Sequence, residues 1–212
     1  MGESALPDFG WSETTATSAS ASMAPSIDGL ISSFQSNGPV SIIELGCGNG
    51  RLLSKLQRDN RQWTGIDASV TGIELAKKIA PKAQLHQMEL SDALLDHLGS
   101  EPFDIAVSLE VVEHMYDPWV WARSALAAIR PGGLLIASTP YHGWLKNCLI
   151  SVLGRWDKHH NSLRTGGHIK FLSRSTFLRL LTEVGFEEVT FQGIGRCPGL
   201  WKNMLVTAKK PT

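Results

Sequence analysis

Val40-Ser41-Ile42-Ile43-Glu44-Leu45-Gly46-Cys47-Gly48-Asn49-Gly50 constrains the fold more than any other stretch of the chain. An apolar run ends in an acid and passes into three glycines, each separated by one residue. Such a run reads as a buried parallel strand, and the glycines as the tight turn after it. Glycine permits unusual backbone angles there and lets a ligand approach the main chain. Arg51-Leu52-Leu53-Ser54-Lys55-Leu56 then opens a helix whose N-terminal amides face the turn. Strand, glycine turn and helix N-terminus together predict a nucleotide site.

The spacing selects among nucleotides. A dinucleotide fingerprint needs a glycine three residues after its second, and Arg51 occupies that position. Gly46-x-Gly48-x-Gly50 preceded by Glu44 instead resembles the first motif of the class I S-adenosylmethionine-dependent methyltransferases. Further motifs follow in the family's order. Trp63-Thr64-Gly65-Ile66-Asp67 is a second short strand ending in an acid, at the separation where α/β nucleotide folds place a ribose-binding carboxylate. The resemblance implies that Asp67 takes the ribose hydroxyls of the cofactor. Gln84 to Met88 reads as a third strand, with Glu89 where the family usually has Asp, and Asp92 beyond it. Phe103 to Leu109 reads as the fourth strand. Arg130-Pro131-Gly132-Gly133 turns into a fifth over Leu134 to Thr139. The cofactor-binding set implied by the resemblance is Glu44, Gly46, Cys47, Gly48, Asn49, Gly50, Asp67, Ala68, Glu89, Leu90 and Leu109.

At 212 residues the chain fits one domain, and its zero formal charge gives no global field for nucleic acid. Three cysteines cannot all pair within the chain, so a reduced, cytoplasmic setting is expected. No apolar run approaches the roughly 20 residues of a membrane span. Residues 1–22 read as a flexible leader whose Phe9 and Trp11 are candidates to close over the cofactor. Glu3, Asp8 and Glu13, with no Arg among them, argue against a transit peptide.

Residues 23–212 read as a single domain. Helices are expected over Met23 to Phe34, Val70 to Ile79, Pro118 to Ile129 and Ser173 to Val184, the last capped by Gly185. Glu188 to Gly193 and Met204 to Ala208 read as terminal strands. Alternation of strands and helices predicts a doubly wound α/β fold. By resemblance it has seven mostly parallel strands, the last antiparallel. Residues 140–171 are an excess segment leaving the C-terminal edge of the sheet, where an open α/β fold holds its ligand. They are expected to form the acceptor pocket, with Tyr116, Trp119, Tyr141, Trp144 and Trp156 as candidates to shape a ring pocket.

Leu109-Glu110-Val111-Val112-Glu113-His114 follows the fourth strand directly. The i, i+3, i+4 spacing of Glu110, Glu113 and His114 places them on one face of a helical turn. Two carboxylates converging without a nearby Lys or Arg are relieved by a divalent cation, and His168 in Gly166-Gly167-His168-Ile169-Lys170-Phe171 offers another imidazole. Oxygen-rich ligation suits Mg²⁺ or Mn²⁺; imidazoles also admit Zn²⁺ or Fe²⁺. The element resembles two O-methyltransferase families, that of ubiquinone biosynthesis and that of small-RNA 3′-terminal 2′-O-methylation. In the second, these ligands hold a metal that grips vicinal hydroxyls. His114 and His168 are the alternative general bases.

Between Tyr141 and Arg174, Lys146, Arg155, Lys158, Arg164, Lys170 and Arg174 face Asp157 alone, which favours an anionic acceptor. Trp144, Leu145, Cys148, Leu149, Val152, Leu153 and Trp156 form an apolar stripe. The stripe either packs on the sheet, the commoner outcome, or meets a membrane through residues 144–156 and favours a lipophilic acceptor. The expected activity is methyl transfer from S-adenosylmethionine to a small-molecule hydroxyl, with the ubiquinone-biosynthesis family the nearer resemblance. An RNA 3′-end enzyme, a small-amine N-methyltransferase and a non-catalytic cofactor-binding module are the alternatives.

Overall fold

The computed structural model describes residue 11 and residues 18–160, 163–164 and 166–212. Phe9 and most of the leader lie outside the described residues. The chain runs α1 (Ser18–Ser33), β1 (Val40–Leu45), α2 (Arg51–Leu56), β2 (Arg61–Asp67), α3 (Val70–Ile79), β3 (Gln84–Gln87), α4 (Leu94–Leu98) and β4 (Phe103–Leu109). A short 3₁₀ turn (Val112–His114) leads to α5 (Pro118–Ala128), β5 (Ile129–Pro140), α6 (Trp144–Val152), α7 (Trp156–His160), α8 (Arg174–Val184), β6 (Glu187–Ile194) and β7 (Asn203–Lys209). Helix α1 starts at Ser18 rather than Met23, so the serine-rich tract is partly helical. Helix α4 has no counterpart among the sequence expectations.

The seven strands form one sheet in the order β3-β2-β1-β4-β5-β7-β6. Strands β1 to β5 run parallel to one another, and β7 is antiparallel to both β5 and β6. This is the expected doubly wound sheet. Its order reverses between β1 and β4, and ligands of open α/β sheets lie beyond the carboxyl ends of the strands at such a switch.

Each face of the sheet is covered by helices. On one side Trp121 of α5 and Phe177 and Leu181 of α8 pack on Ala106, Leu135 and Val206. On the other, Met23, Ile27 and Ile31 of α1 and Leu53 of α2 pack on Ile42, Trp63 and Ile105. The apolar spacing of α1 and α8 places these residues inward. Local signals act as written: Ser69, Asp117 and Ser173 accept backbone N–H bonds at the starts of α3, α5 and α8, and Gly185 ends α8 in the left-handed region.

Asp104 ties the ends of three strands together. Its carboxylate accepts from the Ser41 N–H (2.8 Å) and hydroxyl (2.9 Å) and from the Arg130 guanidinium (2.7 Å). Burial alone would raise its pKa, but the Ser41 and Arg130 contacts outweigh burial and hold it below the usual value. A depressed carboxylate contributes stability above its unfolded pKa and loses it as pH falls through the folded one. Asp104→Asn is therefore expected to cost about 1–3 kcal/mol at neutral pH. The gap from wild type in thermal midpoint should close as pH falls below about 4.

Candidate active site

The turn after β1 is held from below by β2. The Gly46 and Cys47 amides bond the Ile66 carbonyl. The Asp67 carboxylate spans the gap between two loops: Oδ2 accepts from the Gly48 N–H (2.7 Å) and Oδ1 from the Ser69 N–H (2.8 Å). Gly46, Gly48 and Gly50 all have positive φ (79°, 51° and 74°), so the turn needs a residue without a Cβ penalty at each. The indole of Trp11 lies on Gly48, where an added Cβ would come within 2.4 Å of its ring.

These elements form the floor of a cavity of about 690 Å³, within the range of small-molecule sites. Of the residues expected at the cofactor, Glu44, Gly46, Cys47, Asn49, Asp67, Ala68, Glu89, Leu90 and Leu109 line it; Gly48 and Gly50 shape the turn from behind. Trp11 lines the cavity as well. Arg51, Met88, Met115, Arg164 and Asn203 also line it, and no local motif in the sequence marks them for the cofactor.

Glu44 is almost fully buried, and its Oε2 makes no hydrogen bond. Burial, and then the neighbouring Asp67 charge, push its pKa well above the usual carboxylate range. A ligand bringing positive charge would favour the ionised form. Affinity for S-adenosylmethionine, whose sulfonium and ammonium are cationic, is thus expected to strengthen as pH rises above the ordinary carboxylate range, and Glu44→Gln to weaken binding and flatten this dependence. Calorimetric titration across that rise reads both.

At the far end of the cavity the acidic element departs from a helical face. Glu110 precedes the 3₁₀ turn with φ of 57°, a strained conformation for a residue with a side chain. Its Oε1 accepts from the Ser138 hydroxyl (2.8 Å) and its Oε2 from the Asn203 amide (2.7 Å). Burial raises it to about 7, against the lowering effect of those bonds and of Lys146. Glu110 therefore does not share one face with Glu113 and His114, because the left-handed residue breaks the helical register.

The group that converges is Glu113, His114 and His168, each offering a ligand atom within 4.8 Å of the others. Two N–H groups, of Ile169 and Lys170, donate to the Glu113 carbonyl (2.9 and 3.0 Å) and draw the end of the 140–171 segment onto the turn. His168 Nε2 stands 3.9 Å from Glu113 Oε1. The two imidazoles meet edge to face at 4.9 Å. His114 Nδ1 lies 3.2 Å from the Gly167 carbonyl; in the tautomer that donates there, Nε2 keeps its lone pair.

Glu113 is completely buried, and neither of its carboxylate oxygens has a hydrogen-bond partner. Burial, then the Glu110 charge, drive its pKa well up; its own backbone N–H and the Thr139 hydroxyl lie near enough to offset part of this. His168 is lowered to about 4 by burial, His114 and Arg164, and His114 is lowered mainly by burial. Both imidazoles are neutral near pH 7, the state a cation ligand requires and one that makes His168 a weak proton acceptor. An orphaned buried carboxylate beside two neutral imidazoles fits a divalent cation. The donor set is richer in nitrogen than expected, since Glu110 is held elsewhere.

The aromatic residues expected to shape a ring pocket do not line this cavity. Tyr116 and Trp144 are 88% and 79% exposed. Tyr141 packs on Phe191 and Trp201, and Trp119 lines a separate groove on α5. Within the 140–171 segment Trp144 and Trp156 are exposed, and Pro140, Arg164, Gly167 and His168 line the cavity instead.

A methyltransferase-domain family matches residues 19–190. The chain belongs to that family, and its sheet, glycine turn and acidic strand ends are those of a class I S-adenosylmethionine-dependent methyltransferase. Among curated proteins it is similar to the ubiquinone biosynthesis O-methyltransferase of Brucella ovis, at 35% identity over 80% of this chain and 72% of that protein. It is also similar to that of Methylobacterium sp. (strain 4-46), at 28% identity over 81% and 73%. With the corresponding proteins of Methylobacterium nodulans and Bradyrhizobium diazoefficiens, the match spans 46% of the relative's length. Solved structures share the fold, two of them as follows. The methyltransferase domain of bacterial CtHen1-C superposes with a TM-score of 0.65 at 23% identity, over 90% of this chain and 98% of that one. A Thermotoga maritima S-adenosylmethionine-dependent methyltransferase, described as a possible histamine N-methyltransferase, does so with a TM-score of 0.63 at 20% identity, over 91% and 89%.

Proposed function

We propose that this protein is an O-methyltransferase whose acceptor hydroxyl is held beside a divalent cation on Glu113, His114 and His168. The observation that carries the reading is Glu113: a carboxylate buried at the acceptor end with both oxygens unpartnered, next to two neutral imidazoles. The similarity to ubiquinone biosynthesis O-methyltransferases supports oxygen as the acceptor atom. A cation held there lowers the pKa of a hydroxyl and screens the charge it develops. One carboxylate and two imidazoles favour Mn²⁺, Fe²⁺, Co²⁺ or Zn²⁺ over Mg²⁺.

The chain's own groups do the rest by placement. Glu44 and Asp67 present carboxylates to the cationic cofactor at one end of the cavity. Glu110, locked by Ser138 and Asn203, fixes the backbone from which the 3₁₀ turn departs. Arg164 lines the acceptor end and adds positive charge there, which supports an acceptor that carries an anionic group. Alignment of hydroxyl and methyl in the cavity then supplies most of the rate.

The test is methyl transfer from labelled S-adenosylmethionine to catechols, aliphatic diols, amines and a short RNA, with Mn²⁺ and with a chelator. Transfer to a catechol or diol that the chelator abolishes supports the reading. Transfer to an amine unaffected by the chelator overturns it, and transfer only to RNA moves the acceptor to a terminal ribose.

A further inference from the structure

Helix α6 buries its one cation and meets a group of imidazoles with it. Lys146 is 4% exposed, and its Nζ donates to the Tyr141 carbonyl at 2.7 Å and stands 3.5 Å from the Lys202 carbonyl. Trp144 and Val152 of the same helix are 79% and 83% exposed, so the apolar stripe expected to pack on the sheet faces solvent instead. His142 precedes α6, and His159 and His160 close α7. The His160 ring stacks on that of His142 with centroids 5.7 Å apart, and His159 meets both edge to face at 4.9 and 6.2 Å. Arg196 comes from the β6–β7 loop, and its charge acts on Lys146 and on His159.

These basic groups gather without a counter-charge. Among the described residues none of them makes an ion pair. The acid whose charge reaches Lys146 is Glu110, and its two oxygens are committed to Ser138 and Asn203. Burial first, then Lys146, hold all three imidazoles below their ordinary pKa. Exposure falls from rim to floor: Arg196 and His159 are exposed, His160 is half-buried, and His142 is 6% exposed. Three buried polar atoms at the floor make no hydrogen bond: His142 Nε2, His160 Nε2 and Asn147 Oδ1. Buried polar atoms are as a rule paired, so these are open to a ligand, and a half-turn of the Asn147 amide presents its NH₂ in place of the oxygen.

The chemistry selects the ligand. A metal ion would meet two permanent cations, and these imidazoles do not bring their nitrogens as close together as Glu113, His114 and His168 do. An oxyanion meets donors only. Two cations and three imidazoles exceed what one carboxylate can use, whereas a phosphate dianion brings two charges and several acceptor oxygens. We propose that His142, His159, His160, Lys146 and Arg196 form a phosphate site, occupied by free phosphate or by the phosphate group of a soluble monoester. None of the five lines the cofactor cavity. The site is thus separate from the acceptor end, and the inference does not rest on which acceptor is methylated or on a cation at Glu113.

The experiment is calorimetric titration of inorganic phosphate, sulfate and glycerol 3-phosphate at about pH 6.5, with EDTA present and ionic strength held by NaCl. The proteins are wild type, His159→Gln/Arg196→Gln, His160→Gln and Arg164→Gln. Wild type is expected to bind phosphate saturably, and the double variant and His160→Gln at least about tenfold more weakly, since each loses donors to a charged ligand. Arg164→Gln should bind as wild type does. A bound anion favours the charged imidazole, so the ring nitrogens of His142 and His160 should shift toward the protonated form in ¹⁵N spectra as phosphate is added. Equal affinity for phosphate and glycerol 3-phosphate assigns the site to the phosphate group itself; tighter binding of glycerol 3-phosphate assigns it to an organic monoester. Absence of saturable binding overturns the proposal, and so does equal binding by wild type and both histidine variants. Phosphate binding that Arg164→Gln abolishes, or that displaces S-adenosylhomocysteine, places the anion in the cofactor cavity and also overturns it.

Discussion

Glu113→Gln is expected to cut methyl transfer by about a hundredfold or more while leaving the thermal midpoint unchanged or higher. The two halves of the outcome share one cause. A carboxylate with no exposure and no hydrogen-bond partner costs desolvation energy that the fold alone does not recover. Such a group is tolerated where function uses it, and removing it trades activity for stability. Binding to the folded state raises stability by mass action, so Mn²⁺ should raise the midpoint of wild type and fail to do so for Glu113→Gln. Glu110→Gln behaves in the opposite way. Its two bonds to an ionisable carboxylate become weaker neutral ones, because an amide has one acceptor oxygen for Asn203 and must donate its NH₂ to the Ser138 hydroxyl, which then has to turn its own proton elsewhere. That variant should lose about 1 kcal/mol of stability and keep the Mn²⁺ shift. If Glu110→Gln also abolishes the shift, Glu110 is a ligand and the group is the four-residue set read from the sequence. If Glu113→Gln retains both shift and activity, the cation reading fails. Differential scanning fluorimetry with and without the ion reads the stability effects.

What the sequence makes legible follows from the range of each signal. Glycine turns, strand-ending acids and helix caps act within a few residues, so the β1 turn, Asp67 and the starts of α3, α5 and α8 can be read from the chain directly. Helix α1 begins earlier than expected, at Ser18, and accommodates Pro25 in its interior. The acidic element shows where local reasoning stops. Spacing places Glu110, Glu113 and His114 on one face only if the backbone is helical throughout, and the left-handed Glu110 breaks that premise. Its partners, Ser138 and Asn203, come from β5 and β7, so no window of sequence contains the arrangement. The 140–171 segment is legible as an insertion with a basic, amphipathic character. Which way its apolar face points depends on where Lys146 finds its carbonyls, a matter of tertiary contacts.

Asp67→Ala should raise the dissociation constant for S-adenosylhomocysteine by at least about a hundredfold, since hydrogen bonds to a charged group contribute roughly 1.5–3 kcal/mol each. The carboxylate has two duties. It accepts from the Gly48 and Ser69 amides and so holds the glycine turn against the start of α3. The family resemblance implies that the same carboxylate, at the end of β2, takes the ribose hydroxyls of a bound nucleoside. Alanine removes both duties. Asparagine keeps one acceptor oxygen but turns an NH₂ toward one of the two backbone donors, so Asp67→Asn should fall between wild type and alanine. Adenosine alone separates this residue from Glu44. It carries the ribose but lacks the ammonium, so Asp67→Ala should weaken adenosine binding while Glu44→Gln leaves it nearly unchanged. With S-adenosylmethionine both substitutions should weaken binding. If Asp67→Ala leaves all three ligands bound with nearly wild-type affinity, the cofactor does not lie across the β1 and β2 ends, and the assignment of the cavity's two halves must be reversed. Calorimetry with the three ligands against the four proteins decides between these outcomes.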